Sequence, residues 1–87
     1  MAFEWDEEKS RKTKQERGLD FKDASQLWGD IDSIEVPVCC ETESRWAKVG
    51  ILNGQIHTAI FTLRGKMIRI ISVRRAHPKE IAFYEQN

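Results

Sequence analysis

The sequence predicts an α+β fold, an antiparallel meander sheet packed on two N-terminal helices and closed by a short C-terminal helix. Three observations carry this. Apolar residues recur at helical spacing over Phe21 to Trp28, and from Ile34 to Arg74 they alternate at strand spacing. Asn53-Gly54, between two such alternating stretches, is the strongest short hairpin signal. The 87 residues form a single domain, 1–87, because two would each be too small to sustain a core easily.

Ala2 to Trp5 alternates small or polar residues with Phe3 and Trp5 and reads as a short strand. Asp6 is an N-cap for a helix over residues 7–17, with Glu7 and Glu8 suited to its first turn and Gly18 to its stop. That helix has almost no apolar face and is crowded with bases. Asp20 caps a second helix, with Asp23 three residues on and Phe21, Ala24, Leu27 and Trp28 on one stripe, ending at Gly29-Asp30. Ile34 to Val38 is a strand, and Pro37 makes it an edge strand. After a polar loop, Arg45 to Leu52 and Gln55 to Leu63 pair across Asn53-Gly54. Gly65-Lys66 turns the chain into Met67 to Arg74, and Pro78 opens a last helix holding Ile81, Ala82, Phe83 and Tyr84.

A two-residue turn at Asn53-Gly54 pairs Leu52 with Gln55, hence Ile51 with Ile56, Val49 with Thr58 and Ala47 with Ile60. This aliphatic face is expected to pack on the helices. The opposite face holds Gly50 with His57, Lys48 with Ala59, and Trp46 with Phe61. A two-residue turn at Gly65-Lys66 then adds His57 with Arg74 and Phe61 with Ile70.

No apolar run reaches the ~20 residues of a membrane span, and Met-Ala-Phe-Glu-Trp-Asp-Glu-Glu does not resemble a signal peptide, so a cytoplasmic protein without membrane contact is expected. Adjacent Cys39 and Cys40 match neither a disulfide framework nor a zinc pattern and read as inert thiols. The zero net charge hides a division. Residues 1–44 carry twelve acids and six bases, net −6, whereas residues 45–87 carry eight bases and two acids, net +6. Either the basic half meets an anionic partner or the two halves neutralise each other within the fold.

Bases are stacked by aromatic rings and phosphates are gripped by arginine forks, and both residue types are present. Cutting RNA without a metal needs a base for the 2′-hydroxyl proton, an acid for the leaving 5′-oxygen and cations for the phosphate. His57 is the only histidine in a strand, since His77 precedes Pro78 as a loop or cap residue. Arg64, Arg69, Arg74 and Arg75 are candidate cations and Tyr84 a candidate proton donor. Trp46 and Phe61 are candidate base platforms beside Lys48 and Arg45. A lone histidine also serves as a structural residue, and Trp46 with Phe61 as a packed cross-strand pair. No carboxylate pair, phosphate loop, nucleophile elbow, metal cluster or cofactor motif competes.

Several strings are similar to those of a known family. Phe3-Glu4-Trp5-Asp6-Glu7-Glu8-Lys9 and Gly18-Leu19-Asp20-Phe21 with Ala24 resemble the opening of the BrnT toxins. Arg45-Trp46 with Gly50, Thr62-x-Arg64-Gly65, Ile68-Arg69-Ile70-Ile71-Ser72-x-Arg74-Arg75-Ala76, Glu80 and Tyr84-Glu85 resemble the rest. The resemblance implies a RelE-like fold and the toxin half of a type II toxin–antitoxin pair, cleaving RNA to stop translation. It further implies a BrnA-like ribbon-helix-helix antitoxin that binds operator DNA, so that the toxin meets DNA only indirectly. Arg45, Arg64, Arg69, Arg74 and Arg75 fall on the family's recurrent basic positions and Tyr84 on its terminal tyrosine. The first helix departs from the pattern. Thr13, Lys14 and Arg17 stand near the family's Asn, Leu and His, so looser docking of this helix is expected. An antitoxin segment bearing carboxylates and apolar anchors is expected over the face of Trp46, Lys48 and Arg74. The rival reading is a non-enzymatic module that binds an antitoxin and acts mainly in operon repression.

Overall fold

The computed structural model describes residues 2–38 and 42–86, so Cys39 and Cys40 lie outside the described residues. The chain runs β1 (Ala2–Glu4), α1 (Glu7–Arg17), α2 (Phe21–Ala24), a 3₁₀ turn (Ser25–Gly29), β2 (Ile34–Val38), β3 (Arg45–Leu52), β4 (Gln55–Arg64), β5 (Met67–Arg75) and α3 (Pro78–Glu85). The element order matches the sequence reading, and the fold is α+β. The sheet is mixed, however, in the order β1-β5-β4-β3-β2. The antiparallel meander is β2 to β5, with Pro37 on the β2 edge, while β1 adds in parallel along Met67 to Arg69 of β5. Helices α1 and α2 lie between β1 and the meander in sequence, and this long connection lets β1 join the far edge in parallel.

Both N-terminal caps form as the residues predict. The Asp6 carboxylate accepts from the backbone of Glu8 and Lys9 at 3.0 and 3.3 Å, and Gly18 ends α1 at φ 78°. Asp20 and Asp23 make a reciprocal capping box, at 2.8 and 3.0 Å. The second helix is shorter than its apolar stripe suggested, four α-helical residues tightening into the 3₁₀ turn. Helix α1 docks through polar bonds. Buried Ser10 accepts from the Phe21 backbone at 2.9 Å, Lys14 pairs with Asp23 at 3.1 Å, and Arg17 donates to the Val73 carbonyl at 2.6 Å. Among the described residues, no helix is long and apolar enough to cross a membrane.

The β3–β4 register is the one counted from Asn53-Gly54, with Ile51 opposite Ile56 and Gly50 opposite His57. Asn53 and Gly54 both have positive φ, at 54° and 77°, the backbone of a tight primed hairpin turn. Which layer covers which face is the reverse of the expectation. Leu19, Phe21, Ala24 and Leu27 pack with Leu52, Ala59, Ile70 and Val73, and Trp28 stacks edge-on against Phe61 at 5.0 Å. The N-terminal helices therefore cover the face of Gly50, His57 and Phe61. Its small residues make the room. A Cβ on Gly50 would meet Leu27 at 3.4 Å, Ser33 at 3.2 Å and Asp30 at 3.1 Å. The aliphatic face of Ala47, Thr58 and Ile60 turns toward α3, and Ile51 remains 47% exposed.

The β4–β5 register also needs a correction. Arg64 pairs with Met67 and Phe61 with Ile70 as counted, but a bulge at Ile60/Phe61 leaves Ile71 as an extra residue. Beyond it His57 faces Arg75, and Arg74 faces Thr58 on the α3 side. Trp46, Lys48 and Arg74 therefore do not share one face, which corrects the surface assumed for the antitoxin.

Candidate active site

A pocket of about 580 Å³ opens at the Asn53-Gly54 end of the sheet, where the last turn of α1 meets β4 and β5. The ring of His57 forms part of its wall and is only 4% exposed. His57 Nδ1 lies 2.9 Å from the Gln55 carbonyl oxygen. A carbonyl oxygen only accepts, so Nδ1 carries the hydrogen and Nε2 of the neutral ring is left with a lone pair. Among the described residues Nε2 makes no hydrogen bond and no buried side-chain polar atom is unsatisfied, so Nε2 is not sealed in, and the ring lies in the pocket wall. The ring is thus anchored at one nitrogen and chemically available at the other.

The cross-strand partner of His57 is Arg75, an exposed side chain that makes no hydrogen bond or ion pair among the described residues. Arg17 approaches from α1. Because β1 pairs only as far as Arg69, the outer edge of β5 near Val73 has no strand beside it, and Arg17 fills that gap with its bond to the Val73 carbonyl. One guanidinium N–H is spent there and the rest of the fork lines the pocket. His77 lines it too, as do the side chains of the hairpin residues Asn53 and Gln55. The sequence does not single out Arg17 or His77 as site residues. The signal that finds His77 is the register, since the Ala76 amide donates to the Ile56 carbonyl at 3.1 Å and carries the ladder past His57. For Arg17 the only local signal is its place in the last turn before Gly18.

The remaining candidates are dispersed. Arg74 borders the pocket, but both its nitrogens grip Glu80, at 2.7 and 3.0 Å. That guanidinium, aided by the His77 amide and the Thr58 hydroxyl, holds the Glu80 carboxyl down to about 2. Arg69 pairs with Glu4 at 2.7 Å, Arg45 with Glu43 at 3.1 Å, and Lys48 with Glu35 at 3.0 Å while lying over the Trp28 ring. Arg64 is exposed beside the other hairpin, seven strand positions from His57 and so roughly 23 Å away. Phe61 is 2% exposed beneath Trp28, which makes it a core residue, and Trp46 opposite it is half-buried. Tyr84 does not reach the pocket. Its hydroxyl donates to Asp30 at 2.7 Å, and that carboxylate pushes the phenol up to about 12.

Two imidazoles and three guanidiniums around one concave surface suit an anionic ligand whose protons move during reaction. The comparisons with known proteins point the same way. No curated protein matches the chain. Residues 5–80 match the family model described as "Ribonuclease toxin, BrnT, of type II toxin-antitoxin system". That match takes in both ends of the pocket, from Arg17 to His77, and the chain belongs to the BrnT family of ribonuclease toxins.

Proposed function

We propose that this chain cuts RNA without a metal in the His57 pocket. It would halt translation in the cytoplasm until a BrnA-like ribbon-helix-helix antitoxin, itself the operator-binding partner, neutralises it. The RelE-like character of the fold belongs to the same reading. The observation that carries it is His57, held by the Gln55 carbonyl with Nε2 open to a pocket walled by Arg17 and Arg75. Nε2 takes the 2′-hydroxyl proton, and the 2′-oxygen attacks the adjacent phosphorus. The guanidiniums gather the charge that builds on the phosphate oxygens. The wall holds three guanidiniums and no carboxylate among the described residues, a set that attracts phosphate and gives a hard divalent ion such as magnesium no anionic oxygen ligand. Arg64, far along the sheet, suits phosphates flanking the reacting one, and Arg45 and Lys48 suit them only by leaving their glutamate partners.

The test is cleavage of RNA by purified protein in the presence of a strong chelator. His57→Ala is expected to lose about 10²- to 10⁴-fold in rate, and Arg75→Ala to lose activity with an unchanged melt. Products should end in a 2′,3′-cyclic phosphate. Chelator-sensitive cleavage, or a wild-type rate from His57→Ala, would overturn the reading and favour the non-enzymatic, antitoxin-binding module.

Arg17 gives a separate expectation. Arg17→Gln removes the charge and retains a side-chain N–H donor, on a shorter arm than the one that reaches the Val73 carbonyl. The melt should shift little, within about 0.5 kcal/mol. RNA binding should weaken, and its dependence on log salt should flatten by about 0.7, the value of one lost contact to a single strand. An unchanged slope would mean that Arg17 only seals the edge of β5.

A further inference from the structure

We propose that His77 is the general acid of this reaction, an inference that rests on reading His57 as the base. The geometry begins with the strand ladder. His57 faces Arg75, and the Ala76 amide bonds to the Ile56 carbonyl, so the next position sets His77 opposite Gln55. Side chains two apart on a strand share a face, which makes His57 and His77 diagonal neighbours with Cβ atoms about 7–8 Å apart. Both line the same pocket. A phosphodiester bound between two rings at that separation meets one on the 2′-oxygen side and the other on the 5′-oxygen side.

Elimination leads to the same residue. An imidazole can both accept and donate a proton, and the pocket walls hold two, His57 and His77. The guanidiniums of Arg17, Arg74 and Arg75 do not release protons. Tyr84, the donor suggested by the sequence, is bonded to Asp30 and lies outside the pocket. The backbone of His77 is also well held. Its amide donates to Glu80 at 2.7 Å, that carboxylate is gripped by Arg74, and Pro78 fixes the next residue as α3 begins. A donor placed on a fixed backbone loses little entropy on reaching the transition state.

In the step itself the 2′-oxygen–phosphorus bond forms while the phosphorus–5′-oxygen bond breaks. The 2′-hydroxyl proton passes to His57 Nε2, and a ring proton of His77 passes to the departing 5′-oxygen. The products are a 2′,3′-cyclic phosphate and a 5′-hydroxyl. His57 then returns its proton to water and His77 takes one up.

The experiment compares two RNA oligonucleotides that differ at one atom at the site cut by the wild-type protein. One has the natural bridging 5′-oxygen, and the other has a bridging 5′-sulfur, which leaves as a thiolate without being protonated. His77→Asn is the variant of choice because asparagine is a favoured N-cap, so α3 keeps its start and the melt serves as control. His77→Asn should cut the oxygen substrate about 10²- to 10⁴-fold more slowly, and the sulfur substrate within about tenfold of wild type. His57→Ala should fail on both. Equal loss on both substrates with His77→Asn, or no loss on the oxygen substrate, would overturn the assignment of His77 while leaving His57 as the base. Full activity of His57→Ala would overturn the underlying reading as well.

Discussion

Alanine in place of Arg74 is expected to lower stability at pH 7 by about 2–3 kcal/mol, whereas alanine in place of the adjacent Arg75 should leave it within about 0.5 kcal/mol. The two arginines stand side by side in a string that suggests one role, but strand alternation puts them on opposite faces, and the bulge at Ile71 makes Arg75 the one that meets His57. Arg75 faces His57 and makes no polar bond among the described residues, while Arg74 faces Thr58 and holds both oxygens of Glu80. Arg74 and Glu80 keep 26% and 20% of their side-chain surface exposed. Their pairing therefore falls between an exposed ion pair, worth under about 1 kcal/mol, and a buried one, whose rupture costs about 3–5 kcal/mol. Helix α3 buries none of its own residues, so this clasp and the Tyr84–Asp30 bond carry much of its attachment.

Acid provides the second reading of the same bond. The Glu80 carboxyl lies at about 2 in the fold against an ordinary 4.5, chiefly because Arg74 bonds to its charged form. A lowered carboxylate contributes stability that is complete above pH 4.5 and declines as pH falls through about 2. At about 1.4 kcal/mol per pH unit the span sets a ceiling of about 3 kcal/mol, and partial solvent access brings it nearer 2. Urea melts of the wild type at pH 7 and pH 3 should record most of that loss, joined by smaller losses from Asp23 and Asp30, which are lowered by the bonds they accept. In Arg74→Ala the difference between the two pH values should shrink. An undiminished difference would place the acid sensitivity elsewhere.

What the sequence makes legible depends on whether the cause is local. Caps at Asp6 and Asp20, the turn at Asn53-Gly54 and the edge position of Pro37 follow from neighbouring atoms and are found where the residues place them. Alternation shows which residues share a face, and Ile51 does face Ile56. It does not show which layer covers that face. The covering depends on depth, and Gly50 and Ala59 provide that depth beneath Leu27 and Phe21 on the face that looked more polar. Nothing in Ile70-Ile71-Ser72 marks a bulge, since no glycine or proline interrupts the strand, so the shift that brings Arg75 to His57 was unreadable. The pocket was half legible for the same reason. Counting from the turns at Asn53-Gly54 and Gly65-Lys66 places His57 but sets Arg74 instead of Arg75 opposite it, while Arg17 arrives by tertiary docking of a helix with no apolar face.

Phe21→Ala is expected to be the most damaging single substitution to stability, at about 3–5 kcal/mol. Phe21 is fully buried at the start of α2 and packs with Leu27, Ala59 and Ile70 between the helices and the sheet. Helix α1 is polar almost throughout, with Ser10 as its one buried residue, so the short segment from Leu19 to Trp28 provides nearly all the apolar surface of the helical layer. A chain of 87 residues has about 4–13 kcal/mol of stability in total, and a cavity at Phe21 removes a large share of it. The melting temperature should fall by roughly 15–30 °C. Leu63→Ala is the matching control, since Leu63 is 59% exposed and its truncation should stay within about 0.5 kcal/mol. The loss at Phe21 also bears on the pocket: alanine keeps the backbone amide that donates to Ser10, but a loosened α2 displaces this anchor of the helix whose last turn carries Arg17. RNA binding by Phe21→Ala, measured well below its melting temperature, should weaken about as much as in Arg17→Gln. A Phe21→Ala protein that melts within a few degrees of the wild type would show that the sheet and α3 hold the fold without the N-terminal layer.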